Sequence, residues 1–278
     1  MIILKINNIS ELKKIANEVR IGIIEAVYWA QSGHPGGSLS IADILTVLYF
    51  NEMNVDEKNP DMPNRDRLVL SKGHASPALY SVLANKGFFS KEELKTFRKI
   101  DSNLQGHPDK NKVKGVDMTT GSLGQGLSAA NGMALAGKLN KSNYRVYCIL
   151  GDGELEEGQI WEAAMTSHHY KLDNLCVIVD NNNLQIDGKV EDVMNIYPIV
   201  DKFKSFGFET IQIDGHNITQ IMEALGQARK IKGKPTVIIA KTIKGKGVSY
   251  MENQAGWHGK APNEDEYKRA INELKNII

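Results

Sequence analysis

The sequence predicts an α/β fold with a doubly wound, mostly parallel sheet that carries helices on both faces. Three observations predict it. Segments at 144–150, 175–180 and 236–241 are almost continuously apolar and rich in Val and Ile, which is typical of strands buried on both faces. They alternate with segments of helical periodicity, and no linker or repeat interrupts the 278 residues. We therefore predict one domain over 1–278, with a C-terminal tail from about residue 245.

Each predicted helix is identified by apolar residues that recur at steps of three or four, and each strand by a short apolar run. In the first helix Leu12, Ile15 and Val19 share one face. Ser10 is its predicted cap, although Lys13 rather than an acid follows it. In chain order, the predicted elements are helix 10–31, helix 40–50, strand 67–71, helix 75–86, a long polar loop over 99–121, a helix from Leu123, strand 144–150, helix 158–170, strand 175–180, helix 198–205, strand 208–213, helix 217–231, strand 236–241 and helix 263–276.

The charge balance argues against two broad classes of function. The chain has 34 Lys and Arg against 33 Asp and Glu, a formal net charge of +1, which supplies no basic field for nucleic acid or an anionic membrane. No apolar run approaches the roughly 20 residues that span a bilayer. Cys148 and Cys176 lie inside apolar strands, as buried thiols in a reducing compartment do. We therefore expect a cytoplasmic protein that binds neither nucleic acid nor membrane.

Polar segments follow two predicted strands directly, and ligands of doubly wound sheets bind beyond the carboxyl ends of strands. Asp152 lies between two glycines after the first strand, and its carboxylate is a hard donor suited to Mg²⁺ or Ca²⁺. Alone, Asp-Gly is as well explained by an ordinary turn. Residues 180–183, Asp-Asn-Asn-Asn, follow the next strand. Because neighbouring parallel strands end at one edge, we expect Asp152 and an Asn amide to share a cation.

A glycine-rich turn at 121–126 opens a helix. Its spacing is GxxGxG and no strand precedes it, so it does not fit the dinucleotide fingerprint. The sequence also lacks GxxxxGK[ST], the signature of P-loop nucleotidases. Close approach of this backbone to a flat or anionic group is the remaining expectation.

Six motifs rich in His, Gly and Asp occur in order along the chain. They are SGHPGG at 32–37, DRLVLSKGH at 66–74, QGHP at 105–108, TGSLGQG at 120–126, GDG at 151–153 with Asn182, and WHG at 257–259. Each motif is modest alone, but the ordered set resembles the N-terminal, diphosphate-binding portion of transketolase, a thiamine diphosphate enzyme. The resemblance covers nearly the whole chain and implies the thiamine diphosphate-binding fold.

The resemblance implies how this chain would hold its cofactor. Asp152, the side chain of Asn182 and the backbone oxygen of Leu184 would bind Mg²⁺ (or Ca²⁺), which bridges the diphosphate. Two sets of residues would contact thiamine diphosphate itself. The diphosphate would be contacted by Gly151, Gly153, Asn182, His74 and His258. The aminopyrimidine ring would be contacted by the backbone of Gly121, Ser122 and Leu123. Ser122 replaces a Pro that is common in the family.

The resemblance also implies which residues are catalytic. His74 and His258 would flank the diphosphate and reactive centre, while His34 and His107 would contact the hydroxyls and carbonyl of a sugar. Imidazoles titrate near neutral pH and exchange protons with such groups. Glu157 matches the acid that links two active sites across the family's dimer.

The remaining histidines and acids receive other interpretations. His168 and His169 end a helix without a carboxylate or Cys at metal spacing, so we interpret them as helix C-terminal cations rather than zinc ligands. His216 is assigned to a loop without a role. We interpret Glu154 and Glu156 as acids that favour the positive end of the following helix.

One expected group is missing. In the family, the glutamate that protonates the aminopyrimidine lies in a second, pyrimidine-binding domain, and a third domain follows. The resemblance therefore implies one subunit of a split transketolase, active only with a separate C-terminal subunit, in an α2β2 assembly. It would transfer a two-carbon ketol unit from a ketose phosphate to an aldose phosphate.

Three alternatives stay open. The chain could belong to a 1-deoxyxylulose-phosphate synthase-like or a dihydroxyacetone synthase-like enzyme, or it could be a non-catalytic paralogue that binds the cofactor. The SGHPGG and QGHP segments favour ketol transfer between sugars, and the full set of site residues argues against a non-catalytic protein.

Overall fold

The computed structural model describes residues 5–276, and its centre is a five-stranded sheet. All four strand pairings are parallel, and the strand order is β1-β2-β3-β5-β4. The strands are β1 Arg67–Leu70, β2 Val146–Gly151, β3 Leu175–Asn181, β4 Glu209–Asp214 and β5 Thr236–Lys241. The parallel α/β fold predicted from the sequence is confirmed.

Helices cover both faces of this sheet. They are α1 Ile9–Ala30, α2 Pro35–Leu39, α3 Ala42–Val47, α4 Ser76–Lys86, α5 Gly126–Leu139, α6 Gly158–His169, α7 Val190–Val193, α8 Ile199–Ser205, α9 Ile218–Lys230 and α10 Glu264–Lys275. Because strand side chains alternate, Tyr147 and Ile149 of β2 belong to a core with α1, α3, α4 and α9. Cys148 and Leu150 belong to a second core with α5, α6 and α8. A buried strand therefore supplies both layers at once.

Several predicted boundaries need correction. The cap of α1 is Asn8, whose side chain accepts from the Glu11 amide, so the prediction of Ser10 as cap is wrong. The helix predicted at 40–50 is α3, which continues into a π-helical turn at Leu48–Glu52, and the separate helix α2 before it escaped prediction. Pro35 starts α2 early because its fixed φ suits the first helical turn. The helix predicted from Leu123 begins three residues later, at Gly126.

Several other short elements also escaped prediction. They include a 3₁₀ helix at Lys91–Thr96 and α7, each only one or two turns long. Such lengths offer too few apolar positions to establish a period.

The polar segment at 99–121 contains no helix or strand, as predicted, yet specific contacts hold it. The Tyr80 hydroxyl donates to the carbonyls of Gln105, at 2.9 Å, and His107, at 3.0 Å. The Ser76 hydroxyl donates to the Gly106 carbonyl at 2.8 Å. Helix α4 therefore anchors the loop that carries His107.

The tail beyond residue 245 returns to the first helix. Tyr267 of α10 stacks on Tyr28 of α1 with ring centroids 4.0 Å apart, and Asn17 donates to the Leu274 carbonyl at 2.6 Å. Both cysteines are buried with free thiols. Within residues 5–276, none of the helices combines the length and apolarity that crossing a bilayer requires.

Two glycines of α5 give a matched prediction about stability. A Cβ at Gly126 would lie 2.7 Å from the Ser71 backbone, whereas one at Gly132 would meet nothing within 4 Å. We expect Gly126→Ala to destabilise the fold by about 1–3 kcal/mol through overpacking. Gly132→Ala should stabilise it by about 0.5–1 kcal/mol, because alanine loses less backbone entropy in a helix. Urea unfolding measures both, and equal effects would contradict the packing of α5 against residue 71.

Candidate active site

The candidate site lies where the carboxyl ends of the strands meet. Residues 71–74 follow β1, Asp152 follows β2, Asn182 follows β3 and Lys244 follows β5. The loop before α2 adds His34, and the segment before α10 adds His258. Side chains from six separate stretches of sequence therefore meet at one edge of the sheet, as expected for a doubly wound fold.

A buried ion pair lies at the centre of this edge. Lys72 is 2% and Asp180 0% exposed, and Lys72 Nζ lies 2.5 Å from Asp180 Oδ2. The same ammonium donates to the Gly37 carbonyl at 2.7 Å. Hydroxyls of Ser40, at 2.7 Å, and Thr242 also donate to Asp180. Burial opposes ionisation of this carboxyl, but Lys72 and the hydroxyl donors hold its pKa below the usual range.

Asp152 is buried in a different electrostatic environment. It is 2% exposed and accepts hydrogen bonds from the amides of Gly153, at 2.9 Å, and Asn183, at 2.5 Å. Burial and the negative charge of Asp180 raise the pKa of Asp152 to about 7. A carboxylate with so little cationic compensation is suited to a bound cation, which would stabilise its ionised form.

The other predicted metal ligands lie directly beside Asp152. Asn182 Oδ1 accepts from the Leu184 amide at 3.1 Å, and the Leu184 carbonyl faces the Lys244 ammonium at 3.3 Å. Residues 5–276 contain no group of three or more His, Cys, Asp or Glu side chains that could hold a metal. The available donors are one carboxylate, one amide oxygen and one carbonyl, all hard oxygens that suit Mg²⁺ when a diphosphate completes its coordination.

Three imidazoles form a triangle above the ion pair. The ring centroids of His34 and His74 are 5.3 Å apart, those of His34 and His258 5.3 Å, and those of His74 and His258 5.1 Å. Burial and neighbouring cations lower the pKa of His34 to about 4 and that of His258 to about 3. The pKa of His74 falls well below its usual value for the same reasons. All three rings are therefore neutral at pH 7.

His258 and His34 differ in the hydrogen bonds that their rings make. Lys244 Nζ lies 3.0 Å from His258 Nδ1, and since an ammonium only donates, Nδ1 accepts and Nε2 carries the proton. Burial and Lys72 lower the pKa of Lys244 to about 8. His34 Nδ1 is buried without a hydrogen-bond partner among residues 5–276, which is the expected condition of a group that awaits a ligand.

The glycine-rich turn lies against the same region. Gly121 has φ +152°, and a Cβ there would lie 3.2 Å from the His107 ring. A Cβ at Gly73 would lie 2.8 Å from the Gly121 amide. The backbone of this turn therefore packs closely against His107 and Gly73. Ser122 is exposed at the tip of the turn and Leu123 is half-buried.

Glu154 corrects an interpretation made from sequence. It is 2% exposed and accepts from the amides of Gly124 and Gly151, each at 3.0 Å, and from the Ser71 hydroxyl. It is therefore not simply an acid at a helix end: it ties the glycine turn to the ends of β1 and β2. Glu156, in contrast, is exposed and accepts a hydrogen bond from the side-chain amide of Gln185 at 2.6 Å.

The other acid and histidines considered in the sequence lie outside the triangle of imidazoles and the ion pair. Glu157 is exposed immediately before α6, and a Cβ at Gly124 would lie 2.7 Å from its Cβ. His168 and His169 lie in the last turn of α6, as predicted. His216 Nε2 accepts from the Ile243 amide at 2.8 Å, and Nδ1 lies 2.8 Å from Asp43 Oδ2, so His216 links the loop after β5 to α3.

Sequence reasoning missed Lys72, Asp180 and Lys244 as site residues. Lys72 and Asp180 stood inside quoted motifs, but nothing in their spacing indicates that they pair across 108 residues. Lys244 lies in an IKGKG segment, and nothing in that segment indicates a binding or catalytic residue.

The fold and this edge define a class of α/β proteins whose candidate ligand site lies at the carboxyl ends of parallel strands. Residues 11–275 match the family model for "Transketolase, thiamine diphosphate binding domain". The chain belongs to the transketolase family, which confirms the resemblance found in the sequence.

Relatives of two sizes match the chain. It is 46% identical over 265 residues to the 6-deoxy-6-sulfo-D-fructose transketolase subunit SqwG of Clostridium sp. (strain MSTE9), with coverage of 95% of this chain and 96% of that protein. It is 43% identical to one of the subunits of the apulose-4-phosphate transketolase of Phocaeicola vulgatus, covering 96% and 94%. Transketolase from Campylobacter jejuni superposes with a TM-score of 0.90 at 40% identity, but the match covers 96% of this chain and 43% of that one.

The low pKa of His34 gives a prediction with a defined sign. Folding lowers that pKa from about 6.5 to about 4, so the unfolded chain binds more protons between these values. The stability that this buried neutral imidazole contributes is complete above pH 6.5 and is lost as the pH falls toward 4. We expect His34→Gln to flatten the decline of unfolding free energy between pH 6.5 and 4.5, measured by urea titration. His169→Gln, at the exposed end of α6, is the control, and an unchanged slope in the His34 variant would contradict the assignment.

Proposed function

We propose that this chain is the thiamine diphosphate-binding subunit of a split transketolase, which transfers a two-carbon ketol unit from a ketose phosphate to an aldose phosphate. The observation that carries the proposal is the triangle of neutral imidazoles beside the buried Asp152. Support also comes from the two relatives named as transketolase subunits, which the chain matches over nearly their full length. The family match favours this function over the synthase-like and non-catalytic alternatives.

The oxygen donors fit a divalent cation with a diphosphate. Asp152, Asn182 Oδ1 and the Leu184 carbonyl would bind Mg²⁺, or Ca²⁺ in its place. Lys244 would turn from the Leu184 carbonyl toward the diphosphate, because the metal would take over that oxygen. Gly151 and Gly153 bring backbone close to the same anion without a side chain in the way.

The cofactor supplies an electron sink for the two-carbon carbanion, and the protein supplies binding and proton transfer. His34 Nδ1, which has no hydrogen-bond partner among residues 5–276, would exchange a hydrogen bond or proton with a sugar hydroxyl. His258, protonated on Nε2, would donate to the sugar carbonyl or to the developing alkoxide. His74 would flank the diphosphate and the reactive centre. His107, exposed beside Gly121, would contact a more distant hydroxyl, and Gly121, Ser122 and Leu123 would face the aminopyrimidine.

A separate subunit would complete the site. Large apolar side chains are exposed next to the Leu184 ligand, where Ile186 is 64%, Val193 44% and Met194 58% exposed, and such clusters mark interaction surfaces. We propose that a subunit with the pyrimidine-binding and C-terminal domains covers this surface in an α2β2 assembly. Glu157, exposed beside the glycine turn, would link two active sites across the dimer. The free, buried cysteines support a cytoplasmic location.

The first test is reconstitution. We expect the chain alone to have no transketolase activity and the chain with the subunit that copurifies with it to be active. The assay uses thiamine diphosphate and Mg²⁺ with xylulose 5-phosphate as donor and ribose 5-phosphate as acceptor. Donors that the relatives' names indicate, 6-deoxy-6-sulfofructose and apulose 4-phosphate, form a second panel. Turnover by the lone chain would contradict the split-enzyme proposal, and inactivity of the complex with every donor would contradict ketol transfer.

The second test concerns the metal. We expect Asp152→Ala to abolish Mg²⁺-dependent binding of thiamine diphosphate, a loss of at least about a hundredfold in affinity, because it removes the only carboxylate of the proposed ligand set. Asp187→Ala, an exposed acid in the neighbouring loop, makes the same charge change and should bind as wild type does. Calorimetry at pH 8, above the raised pKa of Asp152, measures both. Equal affinities in the two variants would place the metal elsewhere.

A further inference from the structure

We infer that Asp180 is a positioning residue, whose carboxylate fixes the carboxamide of Asn182 so that the amide oxygen, rather than the NH₂ group, is presented to the divalent cation. The inference rests on the metal and diphosphate site proposed above and adds a residue that does not touch the metal. Asn182 Nδ2 lies 3.0 Å from Asp180 Oδ2. Asn182 Oδ1 accepts from the Leu184 amide at 3.1 Å.

The chemistry of Asp180 permits only this orientation of the amide. An ionised carboxylate accepts hydrogen bonds and donates none, and the Lys72 ammonium at 2.5 Å keeps this one ionised. Asp180 is 0% exposed, so water does not substitute for a missing donor. A reversed carboxamide would place its oxygen against the carboxylate, with no proton between two acceptors.

Without Asp180, the hydrogen bond from the Leu184 amide, at 3.1 Å, would be left to orient Asn182 without the support of the carboxylate. The terminal torsion of asparagine is broad and roughly two-fold, and only one of the two orientations offers an oxygen. The NH₂ group has no lone pair to bind a metal and would instead direct protons at it. Hydrogen bonds that orient a ligand are worth roughly 10–100-fold in metal affinity at other sites.

The inference reverses the sign expected for one substitution. Ligand chemistry alone predicts that Asn182→Asp tightens Mg²⁺ binding, because carboxylates are the stronger Mg²⁺ ligands. The inference predicts weaker binding, because a second carboxylate has no proton to donate to Asp180 and is repelled by it. We expect the apparent dissociation constant for Mg²⁺ to rise at least about tenfold at saturating thiamine diphosphate and pH 8. Calorimetry on the full chain, together with its copurifying subunit, measures it.

Asn183→Asp is the matched control. It makes the same chemical change one residue away, at a side chain that faces Tyr197 rather than Asp180. Its Mg²⁺ affinity should equal or exceed that of wild type, which excludes a general effect of added negative charge. Thermal unfolding of each variant shows that the fold is retained. Unchanged or tighter Mg²⁺ binding by Asn182→Asp would overturn the inference.

A neutral background provides an independent test. Replacing the ion pair by Asp180→Asn with Lys72→Met leaves an amide that can turn either its oxygen or its NH₂ toward position 182. In that background Asn182→Asp should no longer weaken Mg²⁺ binding, because the carboxylate that repels it is gone. A loss of the same size in both backgrounds would overturn the inference. Absence of Mg²⁺-dependent thiamine diphosphate binding by the wild type would instead overturn the proposed function.

Discussion

The buried ion pair between Lys72 and Asp180 is the constraint on which the candidate site depends. Desolvating two charges is costly, and the cost is offset only where good geometry and further hydrogen bonds satisfy both groups. Here Lys72 also binds the Gly37 carbonyl, while Ser40 and Thr242 donate to the carboxylate. The pair therefore joins the ends of β1, β3 and β5 to α2 and to Ser40, the C-cap of that helix. Removing either partner would leave an uncompensated charge and release several site segments at once.

The same pair sets the electrostatics of the neighbouring groups. Burial and neighbouring cations, among them Lys72 beside His74 and His258, keep all three imidazoles neutral at pH 7, a state in which one ring nitrogen accepts a hydrogen bond and the other donates one. Asp180 opposes ionisation of Asp152, so that acid gains most from a bound cation. The arrangement is suited to a ligand that carries both a metal and a diphosphate. The metal would compensate the negative charge of Asp152, and the diphosphate would compensate the positive charge of Lys244.

The site is also divided between chains in the proposed assembly. The chain spans less than half the length of the Campylobacter transketolase that it resembles, and nearly the full length of two proteins named as transketolase subunits. The glycine turn, held to β1 and β2 by Glu154, and the exposed apolar residues after Leu184 lie at the border of the site. A rigid backbone at that border would present a defined surface to a second subunit, since Glu154 accepts from both Gly124 and Gly151.

By itself the sequence determined the parallel fold, its five strands, the family, and a site at the carboxyl ends of the strands. These depend on local periodicity and on motifs that lie within short stretches. Only the tertiary structure decided that Glu154 is buried and joins the glycine turn to β1 and β2. It also decided that Lys72 pairs with Asp180 and that three histidines from separate segments form one triangle of neutral rings. Such features depend on contacts between residues as distant in the chain as His34 and His258 and on burial, which shifts a pKa. A local stretch of sequence shows neither which residues meet in space nor which side chains are buried. The pKa values and hydrogen bonds of these side chains are therefore set only when the chain folds.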